Sequence, residues 1–338
     1  MHSLIIEGIG APLDAADDRT VLDNCLDRGV PMPYNCRSGE CGECLAQLVS
    51  GRLQELPGAD PAIYTPALRD AGMFLTCMCY ATSDITIRVP LRAGDAPPIR
   101  QFDAVITSVA RFGTRTMRVE VRPQAPLVYH AGQYFEWHLP QLSAPRSYSA
   151  ANAPGSETIE FLVRLHEGGG VSELLQRAEL AAGDILTLKG PFGSYDLDVS
   201  GERPLIMVAG GTGLAPVKAI AESLAASGSR RSVSIYFGAR DRDELGYARS
   251  LHELCASQPS MRFAPVLSHE PEPSPWQGAR GLVTEHLAAT LGDQFGAQAY
   301  LCGPPQMINQ TIAILEAKGA MRSDIHCDKF SPAGSHGH

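Results

Sequence analysis

The residues whose types and spacing best suit chemistry are four cysteines, three of which lie in one glycine-rich loop. Cys36, Cys41 and Cys44 have the spacing C-x4-C-x2-C, and Cys77 follows further along the chain. Four thiolates at this spacing hold the two irons of a [2Fe–2S] cluster. A structural zinc site is the alternative, but such sites favour paired C-x2–4-C elements. The sequence therefore predicts a [2Fe–2S] cluster on these four residues.

Two glycines and two further cysteines bear on this site. Gly39 and Gly42 permit sharp bends of the loop and leave backbone N–H groups to point at the sulfurs. Cys79 competes with Cys77 for the fourth ligand position. Cys77 is favoured because CRSGECGEC followed by LTC resembles the plant-type ferredoxin pattern. Cys25 lies on the apolar face of a predicted helix, so we expect it in the core.

A second group of candidate residues surrounds the tetrapeptide RSYS and the glycine run that follows it. The Arg146 guanidinium is a fork suited to a phosphate, and Tyr148 offers an aromatic wall. Ser149 could donate to a flavin ring nitrogen, and GGGVS suits a pyrophosphate at a helix N-terminus, with Ser172 as an added donor. The alternative is that these glycines only turn the chain. The cofactor candidates here are Arg146, Ser147, Tyr148, Ser149, Arg164, Gly169, Gly170, Val171 and Ser172.

A third group follows an apolar strand at residues 204–209. The strand leads into a GGTG loop and a helix with Pro216 in its first turn, a position that proline favours. Strand, glycine loop and helix start form a phosphate cradle at the carboxyl edge of a parallel sheet. Pro216 stands where G-x-G-x-x-G has its third glycine, so the loop departs from that fingerprint. The cradle candidates are Gly210, Gly211, Thr212 and Gly213.

The choice between NADH and NADPH depends on the segment GARDRDEL after the next apolar strand. Arg240 or Arg242 could pair with a 2′-phosphate, whereas Asp241 or Asp243 could accept from a free 2′-hydroxyl. We expect NADH, with Arg240 as the cofactor-binding candidate.

These groups require three kinds of scaffold in series. Residues 1–93 carry the cluster loop between short strands, and residues 100–199 show alternating strands separated by turns, as in an antiparallel barrel. Residues 203–338 alternate apolar strands with helices, as in a parallel α/β sheet. The segment 92–98 has the composition of a linker. We expect a multidomain protein, in which resemblance to plant-type ferredoxins implies a β-grasp ferredoxin domain and resemblance to ferredoxin–NADP reductases implies a β-barrel FAD domain before the α/β nucleotide domain.

RSYS, the GGxxS element and the barrel pattern resemble the FAD-binding domain of the ferredoxin–NADP reductase superfamily. The resemblance implies that Cys302, followed by Gly303 and Pro304, lies beside the nicotinamide and helps place its ring for hydride transfer. By itself, Cys302 at a strand end equally suits a core position. The resemblance also implies that Asp328 lies near the hydride path and that Phe330 covers the flavin until nicotinamide displaces it. A frayed tail is the alternative, above all for residues 331–338.

The order ferredoxin–FAD–NAD resembles the reductase components of bacterial aromatic-ring-hydroxylating dioxygenases, such as those for naphthalene, benzoate and terephthalate. It implies electron flow from NAD(P)H to FAD to [2Fe–2S], and then to a Rieske-type oxygenase directly or through a small ferredoxin. Three alternatives remain: a reductase of a diiron monooxygenase of the phenol hydroxylase type, a reductase of deoxysugar synthesis, and a non-enzymatic electron-transfer subunit or redox sensor. GGTGLAP together with CGPP argues against the last.

Composition excludes other classes. The net charge of −9 argues against a nucleic-acid binder, which needs a basic stripe. No apolar run approaches the roughly 18 residues of a membrane span, so no membrane partner is expected. The nine cysteines are an odd number, and the first residues lack a secretory signal. We therefore expect a cytoplasmic protein without a disulfide framework.

Overall fold

The computed structural model describes residues 1–9, 11–89, 97–193 and 201–330. The chain divides into two compact units, Met1–Pro98 and Ile99–His338. The predicted linker lies mostly outside the described residues, and the predicted frayed end at 331–338 lies entirely outside them. Within the described ranges, no helix has the length and apolar character needed to cross a membrane.

The first unit combines a mixed sheet with two short helices. The five-stranded sheet has the order β2-β1-β7-β3-β5, in which β1 and β7 are parallel, and β4 pairs with β6 separately. Helix α1 begins after its N-cap Thr20 and buries Val21, Leu22 and Cys25. Burial raises the pKa of the Cys25 thiol to about 12, as expected of a core residue. The elements are β1 (His2–Ile6), β2 (Leu13–Ala15), α1 (Val21–Leu26), β3 (Leu45–Ser50), β4 (Leu53–Glu55), α2 (Pro66–Asp70), β5 (Met73–Leu75), β6 (Cys79–Ala81) and β7 (Ile85–Arg88).

The second unit begins with an antiparallel sheet in the order β11-β10-β13-β8-β9-β12. Its core holds Phe135, Trp137 and Phe161, all fully buried, with the Trp137 and Phe161 rings perpendicular at 5.3 Å between centroids. An isolated β-bridge between Ala150, which directly follows β11, and Phe161 of β12 joins the two edges of the sheet. The predicted barrel is therefore confirmed only in part. The elements are β8 (Arg100–Phe112), β9 (Thr116–Pro123), β10 (Tyr134–His138), β11 (Arg146–Ser149), β12 (Ile159–Arg164), α3 (Gly170–Gln176) and β13 (Ile185–Phe192).

The same unit continues as a parallel sheet in the order β17-β16-β15-β14-β18-β19. Strand β14 is buried at every position, as expected of a central parallel strand. The parallel sheet predicted from the apolar runs is confirmed. The elements are β14 (Leu205–Gly210), α4 (Leu214–Ala226), β15 (Val233–Ala239), α5 (Arg249–Ser257), β16 (Met261–Leu267), β17 (Ala279–Arg280), α6 (Val283–Thr290), β18 (Gln298–Gly303), α7 (Pro305–Ala317) and β19 (Ile325–Lys329).

Candidate functional site

The four predicted cluster ligands lie together in the first unit as two pairs of thiols. The Sγ atoms of Cys44 and Cys77 are 3.2 Å apart, and the thiols of Cys36 and Cys41 are hydrogen-bonded to each other. Two pairs suit two irons with two protein ligands each, whereas structural zinc gathers four ligands at one point.

Backbone amides and neighbouring thiols set the charge of the loop. The N–H groups of Ser38 and Glu40 donate to Cys36 Sγ at 3.5 and 3.3 Å. Together with the Cys41 thiol, which has the largest effect, they lower the pKa of Cys36 to about 6. Contact with Cys44 and burial raise the pKa of Cys77. The loop thus already favours one thiolate, the form that binds iron.

Glycine is required at two positions of the loop. Gly39 and Gly42 have φ of +78° and +82°, and a Cβ added to either would lie 2.9 Å from the side chain of Met78 or Ile63, respectively. Cys79 lies on β6, where its register partner is Glu55 of β4.

The nucleotide candidates meet at one edge of the parallel sheet. Strand β14 lies between β15 and β18, so the strands that follow it are added first on one side and then on the other. Ligands bind at such switch points in open α/β sheets. A one-turn 3₁₀ helix, Gly211–Gly213, follows β14 and leads into α4. A Cβ on Gly213 would lie 2.2 Å from the carbonyl oxygen of Cys302, so the GGTG and CGPP loops are in direct contact.

Strand β19 and Phe330 complete this edge of the sheet. In the parallel pair of β18 and β19, Cys302 is the partner of Asp328, and both are buried. The backbone N–H of Phe330 donates to the carbonyl oxygen of Gly303 at 2.8 Å. The edge therefore brings together the predicted residues Gly210, Gly211, Thr212, Gly213, Cys302, Gly303, Pro304, Asp328 and Phe330.

The tetrapeptide RSYS forms strand β11, which pairs with β10. The Tyr148 ring packs on Trp137 with centroids 4.6 Å apart, and Ser149 is buried. The Arg146 Nη1 donates to the carbonyl oxygens of Ala144 and Pro145 at 2.9 and 3.1 Å. Main-chain carbonyl oxygens therefore hold the Arg146 guanidinium.

The glycine run forms a loop closed by Ser172. Its Oγ accepts from the backbone N–H of His166 at 2.9 Å, and a Cβ on Gly169 would lie 3.0 Å from that oxygen. Helix α3 starts at Gly170 with Val171 in its first turn. First-turn N–H groups have no partner inside a helix, so they suit a pyrophosphate. The Ser172 hydroxyl, predicted as an added donor, already holds the loop.

Three family models match successive parts of the chain. A 2Fe-2S iron-sulfur cluster binding domain matches residues 4–82, an oxidoreductase FAD-binding domain matches residues 106–197, and an oxidoreductase NAD-binding domain matches residues 207–312. The ranges contain the cluster cysteines, the RSYS and GGGVS candidates, and the GGTG and CGPP candidates, whereas Asp328 and Phe330 lie beyond the third range.

Relatives match over nearly the whole chain. The reductase component of phenol 2-monooxygenase from Pseudomonas sp. (strain CF600) is 30% identical, covering 98% of this chain and 95% of its own. The reductase component of the naphthalene 1,2-dioxygenase/salicylate 5-hydroxylase systems of Ralstonia sp. is 30% identical, covering 98% of this chain and 99% of its own. The crystal structure of the Amycolatopsis cytochrome P450 reductase GcoB has a TM-score of 0.82 at 32% identity, covering 99% of this chain and 100% of that one. The chain belongs to this family of oxygenase reductase components.

The reductase accordingly has domains for a [2Fe–2S] cluster, FAD and NAD(P)H. In its second unit, an ion pair links the FAD-binding range to the NAD-binding range, and Arg164 is its partner on the FAD-binding side. Its Nη1 is 2.7 Å from Oε1 of the buried Glu244, whose Oε2 accepts from the backbone N–H of Arg240 at 3.0 Å. Arg164, predicted to bind a cofactor, is thus held by a carboxylate beside the predicted ribose segment. The Arg240 side chain itself is exposed.

A buried lysine forms a second link in the reductase. Lys218 of α4 donates from Nζ to the carbonyl oxygen of Ala151 at 2.8 Å, and it lies 2.9 Å from Glu222 and 3.4 Å from Glu160. Glu222 also accepts from the backbone N–H of Ala153 at 2.9 Å. The helix that starts at the GGTG loop is therefore bonded to the chain that directly continues RSYS.

Sequence reasoning missed this link. The only sign of it was a charged pair one turn apart, Lys218 and Glu222, within the otherwise apolar helix APVKAIAESLAA. Such a pair is ordinary on an exposed helix face. Here the lysine is buried, and its partners on the FAD side are far away in the sequence.

Proposed function

We propose that the reductase oxidises NAD(P)H and passes single electrons through its [2Fe–2S] domain to an oxygenase partner. One observation carries this proposal. The same chain holds the paired thiols of the cluster loop and, at the carboxyl edge of the parallel sheet, a candidate nucleotide site where Cys302 neighbours Asp328. Oxidation of one NADH to NAD⁺ and a proton releases two electrons, so two one-electron acceptors are reduced. FAD, when bound, supplies the chemistry that accepts a pair and releases electrons singly.

The first unit, which we infer to be a β-grasp ferredoxin domain at residues 1–93, holds the irons. The pairing of the thiols supports a cluster in which Cys36 and Cys41 would hold one iron and Cys44 and Cys77 would hold the other. The N–H groups that donate to Cys36 Sγ stabilise negative charge on that sulfur. The domain thereby controls how readily an electron is held.

In residues 100–199, Arg146 and the first-turn amides of α3 bind the FAD phosphates, while Tyr148 and Ser149 border the ring system. In residues 203–338, the GGTG turn binds the nucleotide phosphates. Cys302 and Asp328 flank the nicotinamide and, with Phe330, orient it and exclude water. The protein's task is positioning, since the cofactors supply the reactivity.

For the acceptor, we propose a Rieske-type aromatic-ring dioxygenase in the cytoplasm, reached directly or through a small ferredoxin. The naphthalene dioxygenase relative supports this choice. A monooxygenase hydroxylase is the second candidate, because the phenol 2-monooxygenase reductase is equally identical.

Two experiments test the proposal. Anaerobic stopped-flow mixing with NADH or NADPH should bleach the flavin, and steady-state turnover should reduce two equivalents of cytochrome c per nucleotide. If neither nucleotide bleaches the flavin, the reductase assignment is wrong. Coupled turnover with a purified Rieske oxygenase and, in parallel, a diiron hydroxylase then identifies the acceptor: only the true partner forms hydroxylated product in step with nucleotide oxidation.

A further inference from the structure

The segment that follows β15 contains two arginines with different surroundings. By the general rule for such sheets, the adenosine ribose lies at the end of the second strand, where a carboxylate favours a 2′-hydroxyl and an arginine favours a 2′-phosphate. Arg240 and Arg242 both lie just past the end of β15. The affinity for NADPH therefore depends on whether one guanidinium or both can reach the 2′-phosphate.

Arg242 is already held by a carboxylate from the neighbouring strand connection. Its Nε lies 2.5 Å from Oε1 of Glu270, and its backbone N–H donates to Oε2 of the same carboxylate at 3.0 Å. The Glu270 side chain is only 2% exposed, and Ser274 donates a further short hydrogen bond to its Oε1. Both carboxylate oxygens of Glu270 thus accept hydrogen bonds, and this one carboxylate holds both the main chain and the side chain of Arg242.

The net charge of the segment disfavours the 2′-phosphate that distinguishes NADPH from NADH. Arg240 and Arg242 contribute two positive charges, Asp241 and Asp243 two negative charges, and Glu270 one more, which leaves −1. A 2′-phosphate carries about −1.5 to −2 at neutral pH. A 2′-hydroxyl is neutral, so NADH meets no such repulsion.

We propose that Glu270 is a specificity-determining residue that keeps Arg242 from a 2′-phosphate and so makes the reductase selective for NADH. The inference rests on the proposed function, since it concerns the nucleotide that the same site oxidises. Arg240 remains exposed, and within the described parts of the chain its guanidinium has no recorded ion pair. With Arg242 held by Glu270, Arg240 alone is left for a 2′-phosphate, and its single charge is outnumbered by Asp241, Asp243 and Glu270.

The test compares kcat/KM for NADH and NADPH in the holoenzyme with cytochrome c as acceptor. The wild type should favour NADH by about 100-fold, and Glu270→Gln should raise kcat/KM for NADPH about tenfold while changing that for NADH less than about twofold. In Glu270→Gln/Arg242→Ala, the gain for NADPH should disappear, because it depends on the released guanidinium.

A wild type that prefers NADPH, an unchanged ratio in Glu270→Gln, or a gain that survives loss of Arg242 overturns the inference. If Glu270→Gln loses its FAD, competition against NADH in the wild type decides: 2′,5′-ADP should inhibit more weakly than ADP, and equal or stronger inhibition refutes the role of Glu270. A wild type reduced by neither nucleotide refutes the proposed function instead, so the two failures are distinguishable.

Discussion

Replacing Lys218 with methionine tests whether the buried link aligns the two halves of the second unit. The change keeps the length and the apolar part of the side chain but removes the charge that Glu160 and Glu222 share. It also removes the donor to the carbonyl oxygen of Ala151. Arg118 still acts on Glu160, but both carboxylates lose their shared cation, and Ala151 loses its hydrogen bond to α4 while that between Ala153 and Glu222 remains.

The magnitude follows from the burial of the group. Removing one partner of a buried ion pair costs about 3–5 kcal/mol. Because the side chains of Glu160 and Glu222 are 14% and 26% exposed, water reaches them in part, and we expect the lower end, about 3 kcal/mol. For a unit of this size, such a loss lowers the unfolding midpoint by roughly 6–12 °C.

The pH dependence has a definite sign. Burial raises the pKa of Glu160, and Lys218 opposes this effect. A carboxyl whose folded pKa is raised contributes stability that is present below its unfolded pKa and is lost as pH rises. Without Lys218 this effect grows, so the variant should lose more stability at neutral than at mildly acidic pH.

The functional consequence concerns alignment. A misplacement of about 1 Å between reacting groups costs about 100-fold in rate, so flavin reduction by NADH should slow by at least about tenfold. Stopped-flow reduction by NADH and calorimetric unfolding measure the two effects, with dithionite reduction as the check that the flavin is intact. Lys318→Met, at the C-cap of α7, is the matched control. Normal NADH reduction and an unchanged unfolding midpoint in Lys218→Met would refute the reasoning.

Further predictions concern the other two sites. Cys36→Ser should lose its iron and cytochrome c reduction while NADH still bleaches the flavin, whereas Cys79→Ser should keep both iron and turnover; loss of iron from both variants would contradict the ligand set. Gly213→Ala places a Cβ 2.2 Å from the Cys302 carbonyl oxygen, so kcat/KM for NADH should fall about 100-fold. Gly292→Ala, where nothing lies within 4 Å of the added Cβ, should match the wild type in steady-state kinetics.

Sequence reasoning identified the features that depend on local chemistry. The spacing of Cys36, Cys41 and Cys44 and the glycines between them are properties of one short loop, so the cluster motif was readable directly. The same holds for GGTG after an apolar strand, because a turn and the helix it starts are consecutive in the chain. The parallel sheet followed from continuous apolar runs, which only doubly covered strands require.

The tertiary structure decided which distant residues meet. The pairing of Cys44 with Cys77 and of Cys302 with Asp328 depends on chain packing and strand register, which spacing does not encode. In the sequence, Lys218 resembled an ordinary surface charge, and Arg242 was only one of two arginines that could pair with a 2′-phosphate. Their roles depend on carboxylates from other elements, because the burial that makes an ion pair decisive exists only after the elements have packed.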